Sequence, residues 1–242
     1  MAIELPDEVV SFLSFIGINW PTVNEDRVRE FASHVREFAD NVDAVHRDST
    51  DTVQRLGEDY QGASYEALAA KWAQMSDSHM NELVQACHVV ATALDAAADV
   101  VVAMKVETIA ELVVMAAAFV ADQAAAVATL GAAEAAVVAI EMAARKLVNY
   151  LEQQLEQYII GQVVEAAIDP LGEVVSRAVS GLVYEAAEAA LGVSGGADGS
   201  GGGFRIDPGA LEAHAEIMHR QAETVADHAE MFRSRIAGVS FE

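Results

Sequence analysis

The stretch "GEDYQGASYEALAAKW", residues 57–72, interrupts a long helical pattern with a tight bend. Aromatic residues make up only 6% of the 242-residue chain, yet Tyr60, Tyr65 and Trp72 all lie within this stretch. Gly62 permits a left-handed turn conformation that residues with a Cβ disfavour. We therefore expect a sharp corner between two helices, plugged by the aromatic side chains of a turn motif that consists of Tyr60, Gly62, Tyr65 and Trp72.

The segment before the bend carries apolar residues at steps of three and four over about four heptads. This spacing predicts one apolar face of a long amphipathic helix, with charged residues on the outer face. Thr22 and Glu25 are spaced as a capping box for its start. The predicted hairpin interface in this helix consists of Val28, Phe31, Val35, Phe38, Val42 and Val45.

A second apolar stripe follows the bend and runs from Tyr65 to Val101. Two long stripes joined by a few residues fold back on each other as an antiparallel helical hairpin. On the second helix, we expect Leu68, Met75 and His79 to face the first. His79 is best explained as a hydrogen-bonded interface residue that could make the hairpin sensitive to pH.

Composition favours an all-α protein, because prolines number only four and strand-like alternation is scarce. The net charge of −24 argues against binding to nucleic acid and could steer the chain toward a basic partner. A single cysteine, Cys87, excludes an internal disulfide and any Cys-based zinc cluster. The start, "MAIELPDEVV", lacks the basic and apolar regions of a Sec-type signal peptide.

Breaks in the pattern divide the chain into four predicted regions. Residues 1–103 hold a short helix and the hairpin, and residues 104–191 form an Ala-rich helical region with Gly131 as a possible break. Residues 192–203, "GVSGGADGSGGG", form a flexible Gly/Ser linker. Residues 204–242 form an amphipathic helix that could be the first half of a second hairpin. The predicted fold is thus an elongated all-α bundle built on a long-helix hairpin, with a further amphipathic helix after a Gly-rich linker.

The last helix presents an unbroken apolar stripe that must be covered in cis, by a partner, or by a missing second half. Its predicted interface consists of Leu211, Met218, Val225, Phe232 and Ile236. Because the chain stops at Phe241-Glu242, we expect any toxin part to have been removed or to lie on another chain.

An aromatic-x-Gly turn between two long amphipathic helices resembles the WxG signature of helical-hairpin proteins exported by type VII (ESX) secretion systems. Tyr60-Gln61-Gly62 occupies the Trp-x-Gly place, with tyrosine instead of the family's tryptophan. The preamble "INWPTVNED", residues 18–26, also resembles the WxG-like domains that begin large secreted toxins. The resemblance implies small helical partner proteins, recognition by the type VII export ATPase, and a secreted or cell-surface location reached from the cytoplasm.

The family's secretion signal has the form Tyr-x-x-x-Asp/Glu, and one match is Tyr184-Glu185-Ala186-Ala187-Glu188. Residues four apart share one helix face, so the phenol of Tyr184 and the carboxylate of Glu188 could be recognised together. The alternative interpretation is that Tyr184 is packed in the protein and Glu188 is solvated.

No catalytic, cofactor-binding or metal-binding set is recognisable. His214, His219 and His228 are five and nine residues apart, not the four that would put two ligands on one helix face, so they are interpreted as solvated. A nucleophile elbow and a P-loop are both missing from the sequence.

The leading interpretation is therefore a non-catalytic targeting and interaction module at the N-terminus of a type VII-secreted effector or toxin. The alternative is a conditional membrane-inserting or pore-forming protein, built on the Ala-rich helices of residues 105–160 and testable by liposome leakage at low pH. Acidic residues interrupt the most apolar stretch, residues 108–140, so a true transmembrane helix is disfavoured.

Overall fold

The structure, a computed structural model, describes residues 3–128, 134–158, 161 and 205–239. In these residues the chain is all-α except for two short strands, so the predicted fold class is confirmed. The elements are α1 (Asp7–Phe15), α2 (Glu25–Asp59), β1 (Tyr60–Gln61), α3 (Ala63–Met75), α4 (Asn81–Ala128), α5 (Glu134–Tyr158), β2 (Arg205–Ile206) and α6 (Pro208–Ala237). A π-helical turn, Ser76–Met80, joins α3 to α4.

Helices α2 and α4 form the antiparallel hairpin that the two apolar stripes predict. Arg29 of α2 donates a 2.8 Å hydrogen bond to Asp99 of α4. Farther along α2, Asp40 lies 3.6 Å from His88, earlier in α4. The partner numbers fall as the α2 numbers rise, so the two helices run in opposite directions.

The chain divides into two compact units. The first contains residues 1–30, 93–166 and 240–242, and the second contains residues 31–92 and 167–239. In the first unit, α1 and α5 pack on α4 around one apolar cluster. Phe12 of α1 lies 5.1 Å from Phe119 of α4 between ring centroids. The buried residues of this cluster are Val9, Phe12, Leu13, Ile16, Leu112, Ala116, Phe119, Ala144 and Val148.

Helix α5 also packs near the middle of α4, where Leu151 and Leu155 cluster with Val101. Leu112, later in α4, clusters with the earlier α5 residues Ala144 and Val148. The Ala-rich region therefore folds back on itself in antiparallel fashion instead of continuing as one rod. Burial between α4 and α5 explains why so much of this sequence is apolar.

A buried ion pair anchors the start of α2 in the first unit. The Glu25 side chain is fully buried, and its Oε2 accepts a 2.6 Å bond from Lys105 Nζ on α4. The ammonium of Lys105 also donates to the carbonyl of Val23, and Glu25 Oε1 accepts the backbone N–H of Ile3. Burial raises the pKa of Glu25, but the hydrogen bonds and charge of Lys105, with backbone N–H donors, outweigh it and leave the pKa below its ordinary value.

The helix cap differs from the predicted capping box. The Oδ1 atom of Asn24 accepts the backbone N–H groups of Asp26 and Arg27, at 2.9 and 3.3 Å. Asn24 is thus the N-cap, because the helix starts one residue after it. The carboxylate of Glu25 faces Lys105 and is committed to the ion pair.

In the second unit, α6 lies along α2 in the opposite direction, and a two-residue antiparallel ladder joins the ends of their contact. Tyr60 pairs with Ile206 and Gln61 with Arg205. The backbone N–H of Asp207 donates to the carbonyl of Asp59 at 3.1 Å. The apolar stripe of the last helix therefore meets α2 in cis.

The predicted domain division stays a prediction. Its boundary between residues 103 and 104 falls inside α4, and the predicted linker, residues 192–203, lies outside the described residues, as does Gly131. Among the described helices, none combines the length and the apolar character that crossing a bilayer requires.

Candidate interaction site

The corner between α2 and α3 is made by Gly62. Its φ of 147° and ψ of 171° lie in a region that is essentially restricted to glycine. The sequence predicts a left-handed turn conformation here. The φ of Gly62 is positive, as in such a turn, but its backbone is extended, and Gly62 serves as the N-cap of α3. This conformation reverses the chain within one residue and lets Tyr60 and Gln61 form a strand.

Aromatic side chains pack inside the corner. The hydroxyl of Tyr65 donates to the carbonyl of Val53 at 3.3 Å, and its ring meets that of Tyr60 edge-on at 6.4 Å. The ring also lies over Gly57, where an added Cβ would come within 2.5 Å of it. Gly57 is therefore part of the corner, because a side chain at this position would require the Tyr65 ring to shift.

Trp72 connects α3 back to α2. Its Nε1 donates a 2.9 Å hydrogen bond to Oγ1 of Thr50, and its indole stacks on the His46 ring at 5.3 Å with an interplanar angle of 17°. Burial lowers the pKa of His46, and the opposing charge of Asp43 does not reverse this direction. The His46 ring is therefore neutral at pH 7, which suits a stacked, partly desolvated position.

Four contacts at successive positions along the two helices join α6 to α2. Phe232 stacks on Phe38 with ring centroids 4.7 Å apart. The other three contacts are polar, and their α6 residues are separated by seven and by fourteen positions: His214 lies 3.3 Å from Asp59, Gln221 lies 3.4 Å from Thr52, and Arg235 pairs with Glu37. A seven-residue recurrence keeps these side chains on one helix face.

Next to the corner, α2, α3 and α6 enclose an apolar cavity of about 240 Å³. Leu56 of α2, Leu68 and Trp72 of α3, and Leu211 and Met218 of α6 contribute to its walls. The remaining wall residues are Thr52, Val53, His214 and Ala215. The three helices therefore do not fill the space between them.

The structure gives the predicted interface residues different degrees of burial. In α2, the heptad-spaced residues Val28, Val35 and Val42 are fully buried, and Phe31, Phe38 and Val45 are half-buried. Leu68 is 43% exposed, whereas Met75 and His79 are half-buried. In α6, the predicted residues are all half-buried: Leu211, Met218, Val225, Phe232 and Ile236.

Two of the three α6 histidines are not solvated as the sequence suggests. The His214 side chain is 15% exposed and His228 is half-buried, whereas the His219 side chain is 78% exposed. His214 and His228 occupy the stripe that faces α2, so tertiary packing overrides their polar character. Within the described ranges, no group of three or more potential metal-ligating side chains exists.

Sequence reasoning missed the ion pair of Glu25 and Lys105, the role of Gly57, and the cis partner of the last helix. Lys105 carried a signal, because it is a lone base in an Ala-rich apolar stretch. Such a base needs an acid when its helix is buried. Tyr184 and Glu188, the predicted secretion signal, lie outside the described residues.

Comparison with known protein families identifies a match. A family model described as the WXG100 like domain matches residues 3–146, which is more than half of the chain. The chain therefore belongs to the WXG100-like family, a class of helical modules associated with type VII secretion. Neither curated proteins nor solved structures gave a match. The matched residues include the hairpin and its Tyr60-Gln61-Gly62 corner, whereas α6 lies beyond them.

Proposed function

We propose that this chain is a non-catalytic targeting and interaction module of a type VII-secreted effector or toxin. The observation that carries the proposal is the WXG100-like match over residues 3–146, which coincides with the α2–α4 hairpin and its glycine corner. Domains of this family are secretion-associated helical modules that typically pair with helical partners. The proposed role needs binding surfaces and a signal, and it needs no reactive group.

The proposed partners are small WxG-type helical proteins. Exposed apolar side chains along α4 in the first unit support this pairing, since Val106, Val114 and Val120 are 52–69% exposed. Exposed valines that recur along one helix provide apolar surface for another helix. The net charge of −24 favours a partner whose surface is basic.

The proposed secretion signal is the pair Tyr184 and Glu188, recognised by the type VII export ATPase. The argument is the spacing alone: a tyrosine and an acid four residues apart would share one face of a helix. In this proposal the protein is made in the cytoplasm and reaches the cell surface or medium by this non-Sec route.

Export tests the proposal directly. The tagged full chain is expressed with a co-expressed hairpin partner in a host with a working type VII system, and in the same host without its ATPase. We expect the chain in the culture supernatant of the first host only. Tyr184→Ala and Glu188→Ala should each abolish this export, whereas Tyr150→Ala should not, because Tyr150 is an exposed tyrosine on α5 without an acid four residues later.

Two outcomes would contradict parts of the proposal. Export that needs the ATPase but survives Tyr184→Ala would keep the pathway and exclude this signal. Retention of the chain in the cytosol of both hosts would exclude the targeting role. Steady-state protein levels in cell lysates must match between variants, since misfolded chains are degraded before export.

A further inference from the structure

Helix α6 covers its site on α2 incompletely. The structure describes all thirty residues of α6, and none of them is buried. In contrast, α2 in the same unit contains several fully or nearly fully buried residues: Ala32, Val35, Ala39, Val42, Val53 and Leu56. A helix that contributes most of a stable interface buries its apolar stripe, so α6 is a poor occupant of this face.

Polar atoms on the inner stripe of α6 explain part of the poor fit. His214 Nδ1, Gln221 Oε1 and His228 Nδ1 are each buried without a hydrogen-bond partner in the described part of the chain. These three residues recur at seven-residue spacing and therefore occupy one heptad position. Each unpaired polar atom at a buried position costs free energy that an apolar side chain would not.

The cavity of about 240 Å³ is a second defect on the same face. It lies next to the corner, and its walls include Leu211 and Met218 of α6 and Leu56 and Trp72 of α2 and α3. Apolar space without atoms removes dispersion contacts from its walls. A helix with a larger apolar side chain next to this cavity would fill it.

Acidic side chains lie at both ends of the α2–α6 contact. Asp59 lies beside His214 near the corner, and Glu37 pairs with Arg235 at the other end. A helix antiparallel to α2 with a base near its C-terminal end would keep the pairing with Glu37. The apolar and charged features together favour one class of ligand, which is an amphipathic helix.

We propose that the face of α2 under α6, between Glu37 and Asp59, is an exchangeable helix-binding groove for an amphipathic helix of a partner chain. That helix carries apolar residues where α6 has His214, Gln221 and His228, and a basic residue near its C-terminal end. Helix α6 is the weaker cis occupant, and the family match ends before it begins. The identity of this partner as a secretion partner rests on the proposed function.

A labelled peptide tests the groove on the intact, unmodified chain. The probe is a fluorescent synthetic peptide with the sequence of residues 205–239 and the substitutions His214→Leu, Gln221→Leu and His228→Leu. It must compete with a tethered helix whose effective concentration is on the order of millimolar. We expect fluorescence anisotropy to give a Kd at least tenfold lower than that of the unsubstituted peptide.

A matched peptide controls for added hydrophobicity. It carries Ala213→Leu, His219→Leu and Ala226→Leu, which are three exposed and uncharged positions of the same helix. We expect it to bind no more tightly than the unsubstituted peptide, because these side chains face away from α2. Equal binding of the two leucine peptides would overturn the proposal.

A full-chain variant locates the binding site. Phe232→Glu removes the ring that stacks on Phe38 and weakens the cis helix, so we expect the leucine probe to bind this variant about tenfold more tightly than wild type. An unchanged Kd would show that the probe binds elsewhere and would overturn the groove. The peptide experiment and the export experiment are independent. The probe can fail to bind a chain that is exported, and a chain that is not exported can still bind the probe.

Discussion

Gly62 is the residue on which the corner most depends. Its positive φ of 147° with ψ of 171° is accessible to glycine and strained for any residue with a Cβ. Because β1 ends immediately before Gly62 and α3 begins immediately after it, the strain cannot be relieved without moving one of these elements. The WxG-type glycine is thus a backbone requirement.

We expect Gly62→Ala to lower the free energy of unfolding by about 1–3 kcal/mol. Urea unfolding followed by circular dichroism measures the change. The matched control is Gly238→Ala, since Gly238 has a φ of −87° and its added Cβ would make only an ordinary 3.5 Å contact. An equal loss of stability in both variants would contradict the strain argument.

The ion pair of Glu25 and Lys105 is the other residue-scale feature with a measurable cost. Both side chains are at least 96% buried, so removing one leaves the other charge without compensation. We expect Lys105→Met to destabilise the chain by about 3–5 kcal/mol. The double variant Glu25→Gln/Lys105→Met should recover much of this loss, and a double variant no better than the single one would argue against charge burial as the cause.

The same pair predicts a pH dependence. The folded-state pKa of Glu25 is below its ordinary value of 4.5, so the unfolded chain takes up this proton first as the pH falls. The stability contributed by Glu25 is complete above pH 4.5 and is lost as the pH falls through the folded-state pKa. The measurement is the unfolding free energy of wild type minus that of Glu25→Gln/Lys105→Met. This quantity should decrease from pH 7 toward pH 3, and a constant value would contradict the prediction.

At the scale of the helix, Asp207 determines where α6 begins. Its Oδ1 accepts the backbone N–H groups of Gly209 and Ala210 at 2.9 and 3.1 Å, and Pro208 follows at the first helical position. Its own backbone N–H donates to the carbonyl of Asp59, so this one residue both caps α6 and joins it to α2. Loss of this side chain removes the cap, whereas the backbone hydrogen bond to Asp59 does not depend on it.

We expect Asp207→Ala to destabilise the chain by about 0.5–2 kcal/mol through loss of the N-cap. Native-state hydrogen exchange should show faster exchange confined to the first turns of α6. Asp227→Ala is the control, because Asp227 is an exposed residue in the interior of the same helix. Similar exchange rates in the two variants would exclude the capping argument.

The elements show what sequence patterns can and cannot predict. Val28, Val35 and Val42 lie seven residues apart and are all buried, so the α2–α4 hairpin was readable from periodicity. The same periodicity in α6 reveals an apolar face but does not identify α2 as the surface that covers it. Glu25 reads as a cap residue in sequence, because its partner Lys105 is distant along the chain and charges are normally solvated.

Within the candidate site, the turn motif was predictable because Gly62 interrupts a long helical pattern and aromatic residues are only 6% of this chain. The positive φ of Gly62 was predicted, whereas its extended conformation was not. The unpaired atoms of His214 and His228 were not predictable, since a polar residue on a helix is assigned to the solvent until packing is known. Tertiary contacts, not local propensity, decide both cases.

The net charge dominates the electrostatics of the whole molecule. With 38 acidic residues against 14 basic ones, the folded chain repels itself, and repulsion is stronger in the compact state than in the unfolded one. The Debye length falls from about 30 Å at 0.01 M salt to about 3 Å at 1 M, so added salt should relieve this repulsion.

We expect the melting temperature to rise between 20 and 500 mM NaCl, by about 2–4 °C for each kcal/mol of repulsion that is screened. Differential scanning calorimetry at pH 7 gives the values, and NaCl is preferred to sulfate, which strengthens apolar burial by itself. A melting temperature that falls with salt would mean that surface ion pairs such as Arg27–Glu30 outweigh the net repulsion.

The pairing of Tyr60 with Ile206 has a consequence for the order of synthesis. The ribosome makes the corner well before it makes β2 and α6, and at about 5–20 residues per second the interval is about 7–30 s. Helical hairpins form in far less time than this. Every nascent chain therefore passes through a period in which α6 has not yet been synthesised. During this period the α2 groove is unoccupied and accessible to a partner that is synthesised nearby.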